Sequence, residues 1–429
     1  MASRSTRRFE TFARAAARSI VERARAVLLD EPDATRERAA AELAAARELQ
    51  AGASELKAGM AKLGQLLAYI EGPDALESDG ARGLLANLWD RAPAVDGAAI
   101  RRVVEAELGA PISERFASWS DEPFAAASLG QVHAATTPDG TRLAVKVQYP
   151  GIADALAADL AGDGFVRRLA GAGAGAAIDD AALATLRAAL LGELDYVAEG
   201  RSLERFRRAW LGDRTIVVPR IDPARSSLRV LSAERLDGTR LAELAAQGST
   251  AERAACALTI FRYAWGNPIQ HGLVNADPNP GNYLVLDAAA GRIGFVDYGC
   301  CAQLSEELVA AERMLWRGLY YGDGERMRYA VQEQGLLGRG RALDSDTFRR
   351  WERYLAGPFL GSGDFTFTPA YARGLTEVTS DLLHAGGLRL PAPALLLWRA
   401  RLGAVSVLGS LSATADFRAA LRQIVSDAG

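Results

Sequence analysis

Apolar positions near the start of the chain recur three and four residues apart, and Phe9, Phe12, Ala16, Ile20, Ala24 and Val27 form one such stripe. That spacing lines one face of a helix, and alanine and charged residues fill the other positions up to about residue 120. Pro32, Pro73, Pro93 and Pro111 punctuate the segment, the last three in or beside short polar connections, so several separate helices are expected instead of one rod. The texture changes at Phe124. Leu129 to Ala135 and Arg142 to Gln148 flank Thr137-Pro138-Asp139-Gly140, a turn-forming string that predicts an antiparallel hairpin. A Gly/Ala-rich linker at 170–177 has low complexity.

A long helix is expected from about Asp180 to Trp210, followed by short strands near Ile216 to Pro219 and Leu228 to Ser232. Beyond Asp237 the pattern is helical except for Tyr283 to Leu286 and Arg292 to Val296, two strands around Asp287 to Gly291. This order predicts an α+β, predominantly helical fold of bilobal, protein-kinase-like layout with a helical N-terminal extension. The parts are expected at 1–120, 121–236 (small lobe with a helical insert) and 237–429 (large helical lobe).

Composition narrows the function classes. The 429 residues carry a net charge of −3 and are 49% apolar. That suits a globular chain with a substantial interior and gives no basic field for nucleic acid. Three cysteines, two adjacent, make no disulfide framework, which fits a reducing cytoplasm, and Cys300 and Cys301 are read as small packing residues. No stretch reaches roughly 18 uninterrupted apolar residues, and the best, around Leu390 to Leu411, is broken by Arg399 and Arg401, so no membrane span is expected. The first 25 residues hold seven arginines against two glutamates. They read either as a solvated helix face or as a peripheral contact with an anionic membrane. Of 50 basic residues only Lys57, Lys62 and Lys146 are lysine, so a remaining lysine can mark a place where a compact ammonium is needed.

Asp277 and Asn282 stand five apart in Asn275-Ala276-Asp277-Pro278-Asn279-Pro280-Gly281-Asn282. A kinase catalytic loop has this spacing, the aspartate acting on the nucleophile's proton and the asparagine holding a metal. Fifteen residues after Asn282, across the predicted hairpin, comes Asp297-Tyr298-Gly299, matching the Asp-Phe-Gly turn whose aspartate holds magnesium. Either piece alone is usually an ordinary turn; the two in order at hairpin spacing are not. Lys146 in Leu143-Ala144-Val145-Lys146-Val147 is close to the strand pattern that sets a lysine against the α- and β-phosphates, with Glu199 its candidate partner. Where kinases have a glycine-rich loop this chain has Ala125-Ala126-Ala127-Ser128, expected to be stiffer because alanine avoids positive φ. Lys62, Gln65 and Tyr69 share one helix face, opposite Met60, Leu63, Leu67 and Ile70.

Together these strings resemble the UbiB/AarF family of atypical kinase-like ATPases. The resemblance is carried by the alanine-rich segment, Val-Lys-Val-Gln-Tyr-Pro-Gly at 145–151, Glu193-Leu194-Asp195-Tyr196 with Glu199, the Asp277 loop, and Lys62-Leu63-Gly64-Gln65 as a Lys-x-Gly-Gln signature. It implies ATP and Mg2+ as cofactors and an extension whose Lys62 and Gln65 cover the site where a protein kinase takes its peptide. It places Glu193 and Asp195 near the nucleotide, and it implies a role in isoprenoid quinone or lipid metabolism. The expected site is Asp277, Lys146, Glu199, Lys62 and Gln65 for catalysis, with Ala125, Ala126, Ala127, Ser128, Glu193 and Asp195 beside the nucleotide. Asn282 and Asp297 are expected on magnesium. The chain departs from the family at Asn275 and Asn279, where many members have histidine, so a proton relay there is in doubt; His271 is read as structural. Alternatives are a small-molecule phosphotransferase and a nucleotide-gated scaffold with little turnover.

Overall fold

The computed structural model describes residues 97–154 except 128, then 184, 188, 191–337, 345–361, 363–384, 388 and 391–427. Lys62, Gln65, Ser128, the arginine-rich first 25 residues and the linker at 170–177 therefore lie outside the described residues. Two compact units divide the chain. The described residues 97–103, 120–133 and 146–154 belong to the first, and 104–119, 134–145 and 184–427 to the second.

Helix α1 (Gly97–Leu108) buries Ile100, Val103, Val104 and Leu108, the three-and-four spacing of a core-facing stripe. Strands β1 (Ser118–Ala127), β2 (Gly130–Thr136) and β3 (Arg142–Gln148) follow, then α2 (Tyr196–Ala209), β4 (Ile216–Val217), β5 (Val230–Glu234) and β6 (Thr239–Arg240). β1, β2, β3 and β5 hydrogen-bond in that order. The helical reading up to residue 120 overshoots, because Ser118 already opens β1.

Two other expectations change. The three alanines at 125–127 are the end of β1 and not part of a loop; without glycine's access to positive φ they stay extended. The long helix expected from Asp180 is interrupted at residues 193–195. Asp195 starts α2 afresh by accepting the Ala198 N–H at 2.8 Å, since a short carboxylate at a helix start competes for the unpaired amides there.

In the second unit, Ser249 and Glu252 form a reciprocal capping box that starts α3 (Thr250–Gly266). A wide turn at Asn267–His271 ends on Gly272 in the left-handed region and delivers the chain into β7 (Leu273–Asn275). β8 (Tyr283–Asp287) and β9 (Arg292–Phe295) make the predicted hairpin, with Tyr283 opposite Phe295 and Val285 opposite Ile293. The second sheet runs β4-β9-β8-β6. β10 (Cys301–Gln303) pairs antiparallel with β7, Cys301 opposite Asn275. That short ribbon was not foreseen, and it sets the two acidic turns side by side.

The helices α4 (Glu306–Tyr321), α5 (Gly324–Glu333), α6 (Ser345–Ala356), α7 (Pro369–His384), α8 (Ala392–Leu411) and α9 (Phe417–Asp427) complete the unit. By average hydropathy Ala394–Leu411 is long and apolar enough to cross a membrane, at a mean of 1.4, and 72% of it is buried inside the protein. It passes on average because two arginines are diluted among eighteen residues; the apolar run itself is interrupted by Arg399 and Arg401, as expected. Arg401 is buried, paired with Glu312, and stacked 4.7 and 4.8 Å from the ring centres of Trp265 and Trp316. Burial works to lower its pKa and the Glu312 carboxylate opposes that. A charge so placed marks α8 as a core helix of this unit.

Candidate active site

Asp277, Asn282 and Asp297 come together through main-chain and amide bonds. Asn275 stands at the junction: its Nδ2 donates to the Asp297 carbonyl at 3.0 Å and its Oδ1 accepts the Asp277 N–H at 3.0 Å. Beside it the Ala276 N–H donates to the Cys300 carbonyl at 2.8 Å. Asn282 Nδ2 donates to the Asp277 carbonyl at 3.1 Å and to its Oδ2 at 3.2 Å, and the Val296 N–H returns to the Asn282 carbonyl at 3.0 Å. The loop and the turn after β9 are thereby one hydrogen-bonded circuit. Asn279 joins it only through its carbonyl, which accepts the Asn282 N–H at 2.9 Å; its Oδ1 caps the turn at Pro280–Asn282 by accepting the Gly281 N–H.

Asp297 has φ +69°, and only Ser412 among the other described non-glycine residues is also positive. Such a backbone is costly for most side chains and tolerated best by Asp and Asn. Here the cost is met locally: Asp297 Oδ1 accepts the Gly299 N–H at 3.1 Å, and the Tyr298 N–H reaches Glu199 Oε1 at 3.4 Å. Tyr298 anchors the turn from below. Its ring is 1% exposed, 5.0 Å from Phe206 of α2, and its hydroxyl donates to the Phe295 carbonyl. Burial pushes the Tyr298 and Tyr263 hydroxyls well above the ordinary phenol range.

Glu199 and Glu193 converge on the same turn. A methyl group built on Gly299 would meet Asp297 Oδ1 at 3.4 Å, Glu199 Oε2 at 3.5 Å and Glu193 Cγ at 3.7 Å. Asp195 spends one oxygen on the helix cap, its other lying 4.0 Å from Arg201. Lys146 sits half-buried in β3, on the face opposite the buried Val145 and Val147. At the start of β2, a side chain on Gly130 would fall 2.1 Å from the Val147 carbonyl. His133 is fully buried between the Ser120 carbonyl and Gln131, and burial lowers its pKa. His271 packs edge-on to Trp210 at 5.2 Å, as a structural ring would, and its pKa is also lowered by burial. Burial pushes the Cys301 thiol well above its usual range, which disfavours the thiolate.

The donors fit magnesium and nucleotide phosphate. Asn282 uses its Nδ2 for the loop, so its Oδ1 is the atom left to a cation, and the Asp297 carboxylate is held in the neighbouring turn. Among the described residues no group of three or more His, Cys, Asp or Glu is arranged to hold a metal ion by itself. A magnesium shared between one carboxylate, one amide oxygen and phosphate oxygens needs none.

The ABC1 atypical kinase-like domain matches residues 87–331 of this chain. The chain belongs to that family. Among its relatives are atypical kinase COQ8, mitochondrial, of Saccharomyces cerevisiae, 26% identical over 73% of this chain and 62% of the relative. Another is the probable protein kinase UbiB of Xanthomonas euvesicatoria, 32% identical over 72% and 58%. The chain spans about half the length of the curated relatives it matches. Among solved structures, Mycobacterium tuberculosis Rv3197, determined as a complex with erythromycin, aligns with TM-score 0.63 at 27% identity, covering 89% of this chain and 95% of that one. The kinase-like α+β fold expected from the motifs is the fold of this family.

One functional candidate escaped the motif reading. Arg399 on α8 lies 3.5 Å from Asp277 Oδ1, both side chains under a tenth exposed. Its signal in the sequence is a charged residue inside an otherwise apolar helix.

Proposed function

We propose that this chain is an ATP- and magnesium-dependent atypical kinase-like enzyme that hydrolyses ATP or transfers its γ-phosphoryl group to a small lipid-soluble acceptor. The observation that carries the reading is the Asn275–Asp277–Asn282–Asp297 circuit, which holds a base and two oxygen ligands in fixed register. Asp277 takes the proton of the attacking hydroxyl or water as the new P–O bond forms. The bond from the γ-phosphorus to the bridging oxygen breaks, and its electron pair leaves on ADP. Asn282 and Asp297 hold magnesium, which supplies charge neutralisation on the phosphate oxygens. Lys146 takes the α- and β-phosphates, and Glu193 and Glu199 keep the Asp297 turn in place. Ala125, Ala126, Ala127, Ser128 and Asp195 are assigned to the nucleotide's surroundings, and Lys62 and Gln65 to the acceptor side.

Relatives named COQ8 and UbiB support a quinone-related acceptor, and the seven arginines of the first 25 residues support action at an anionic membrane surface. The test is turnover of MgATP by the full chain with anionic liposomes and phenolic quinone-precursor analogues. Slow hydrolysis stimulated by them is expected, with negligible labelling of generic protein. Robust protein phosphorylation with no response to lipid or phenol overturns the reading. A second reading, a nucleotide-gated binder of bulky ligands, is favoured by the erythromycin complex of the structural neighbour. Stabilisation by erythromycin that depends on ATP, without turnover, would select it.

A further inference from the structure

Asp277 has two carboxylate oxygens, and different elements hold them. Asn282 of the same loop donates to Oδ2 at 3.2 Å. Across from it Arg399 Nη2 faces Oδ1 at 3.5 Å, and Arg399 Nη1 donates to Cys300 Sγ at 3.6 Å. The guanidinium thus spans the loop that carries Asp277 and the residue that follows the Asp297-Tyr298-Gly299 turn. It comes from α8, far along the chain, and is 7% exposed.

One helical turn further, Gly403 occupies the same face of α8. A methyl group built there would stand 2.0 Å from Pro278 Cγ and 2.9 Å from its Cβ. The helix therefore meets the loop at both residues of the Asp277-Pro278 pair, one by charge and the other by contact with a bare backbone. Pro278 cannot yield by rotating a side chain, because its ring is part of the backbone. Arg401, two residues away, is compensated by Glu312 and needs nothing from the site. Desolvating a guanidinium is expensive unless it is paired. Asp277 supplies a carboxylate facing Arg399 across 3.5 Å.

We propose that Arg399 is a positioning residue for Asp277: from α8 it fixes the angle at which the carboxylate meets the attacking oxygen, with Gly403 seating the adjoining proline. The proposal rests on Asp277 acting as the base of ATP turnover. Its effect is on orientation, so it belongs to the chemical step and not to nucleotide binding.

The experiment is steady-state turnover of MgATP by the full chain, with folding followed by circular dichroism. Arg399→Gln is expected to lower kcat by about ten- to a hundredfold while KM for MgATP stays within about threefold, as small misplacements of a catalytic group do. Arg399→Lys, which keeps charge without the fork, recovers part of the loss. Gly403→Ala lowers kcat in the same manner. The double variant Asp277→Asn/Arg399→Gln turns over no more slowly than Asp277→Asn, because Arg399 acts through the carboxylate. Unchanged kcat in folded Arg399→Gln, or losses that multiply in the double variant, overturn the proposal. If Arg399→Gln does not fold, Arg399→Lys carries the test: wild-type kcat there overturns the proposal, and lowered kcat with KM retained supports it. A wild-type chain that neither binds nor turns over MgATP fails at the earlier step and overturns the functional reading itself.

Discussion

Asn275 holds Asp297 by its main chain: the amide of one donates to the carbonyl of the other across 3.0 Å, while the same side chain accepts the N–H of Asp277. A single planar amide offers donor and acceptor on one carbon, so it can bridge two strands of backbone without titrating. Asn275→Ala is expected to cost about 1 to 3 kcal/mol of stability, two modest hydrogen bonds in a part-buried place, and to lower turnover further than stability alone explains. Urea unfolding beside single-turnover kinetics checks both. Unaltered turnover would separate the circuit from the chemistry.

Asp297→Asn separates the proposed metal ligand from the fold. Asparagine accepts the positive φ as readily as aspartate, so the apo protein should melt near wild type. Saturating MgATP stabilises a binding protein by about 2.7 kcal/mol at a hundred times Kd. Thermal shift should show that gain in wild type and its loss in Asp297→Asn and Lys146→Ala.

Stability should fall on acidification through His133. Its folded pKa lies below the ordinary 6.5 because burial disfavours the imidazolium. The unfolded chain then binds more protons as pH drops from about 6.5, so stability present above that value is lost as pH falls towards the folded pKa. Replacing His133 with glutamine should flatten this limb in denaturation series from pH 7.5 to 5, after allowance for His271, which is shifted the same way.

The buried pair under the site makes a sharper demand. Glu312 is 1% exposed and serves Arg401, Trp316 and Gln334 together. Glu312→Leu strands a buried guanidinium and should destabilise by about 3 to 5 kcal/mol. Joint replacement with Arg401→Met should recover most of it in the same melts.

Asp277, Asn282 and Asp297 were legible because phosphoryl chemistry demands particular atoms at particular spacings, and the hairpin between Asn282 and Asp297 could be counted off. The β7–β10 ribbon was not, since three-residue strands such as Leu273–Asn275 carry too little alternation to read. Arg399 was hidden for a different reason: it reaches Asp277 from 122 residues downstream, and sequence spacing holds no information about contacts made by tertiary packing. The break before α2 is written in Asp195, a residue type that favours helix starts and here caps one. Asn275 and Asn279 cannot titrate as histidine does; one is the latch of the circuit and the other a turn cap.

The half-buried Lys146 in β3 has a practical corollary. Because evolution has written nearly every cation of this chain as arginine, only three side-chain amines exist, at Lys57, Lys62 and Lys146. An amine-selective reagent therefore behaves almost as a site-directed label, and intact-mass spectra resolve at most three side-chain additions and one at the amino terminus. Peptide mapping then assigns each addition, so labelling at Lys146 can be followed with and without nucleotide, and no engineered tag is required.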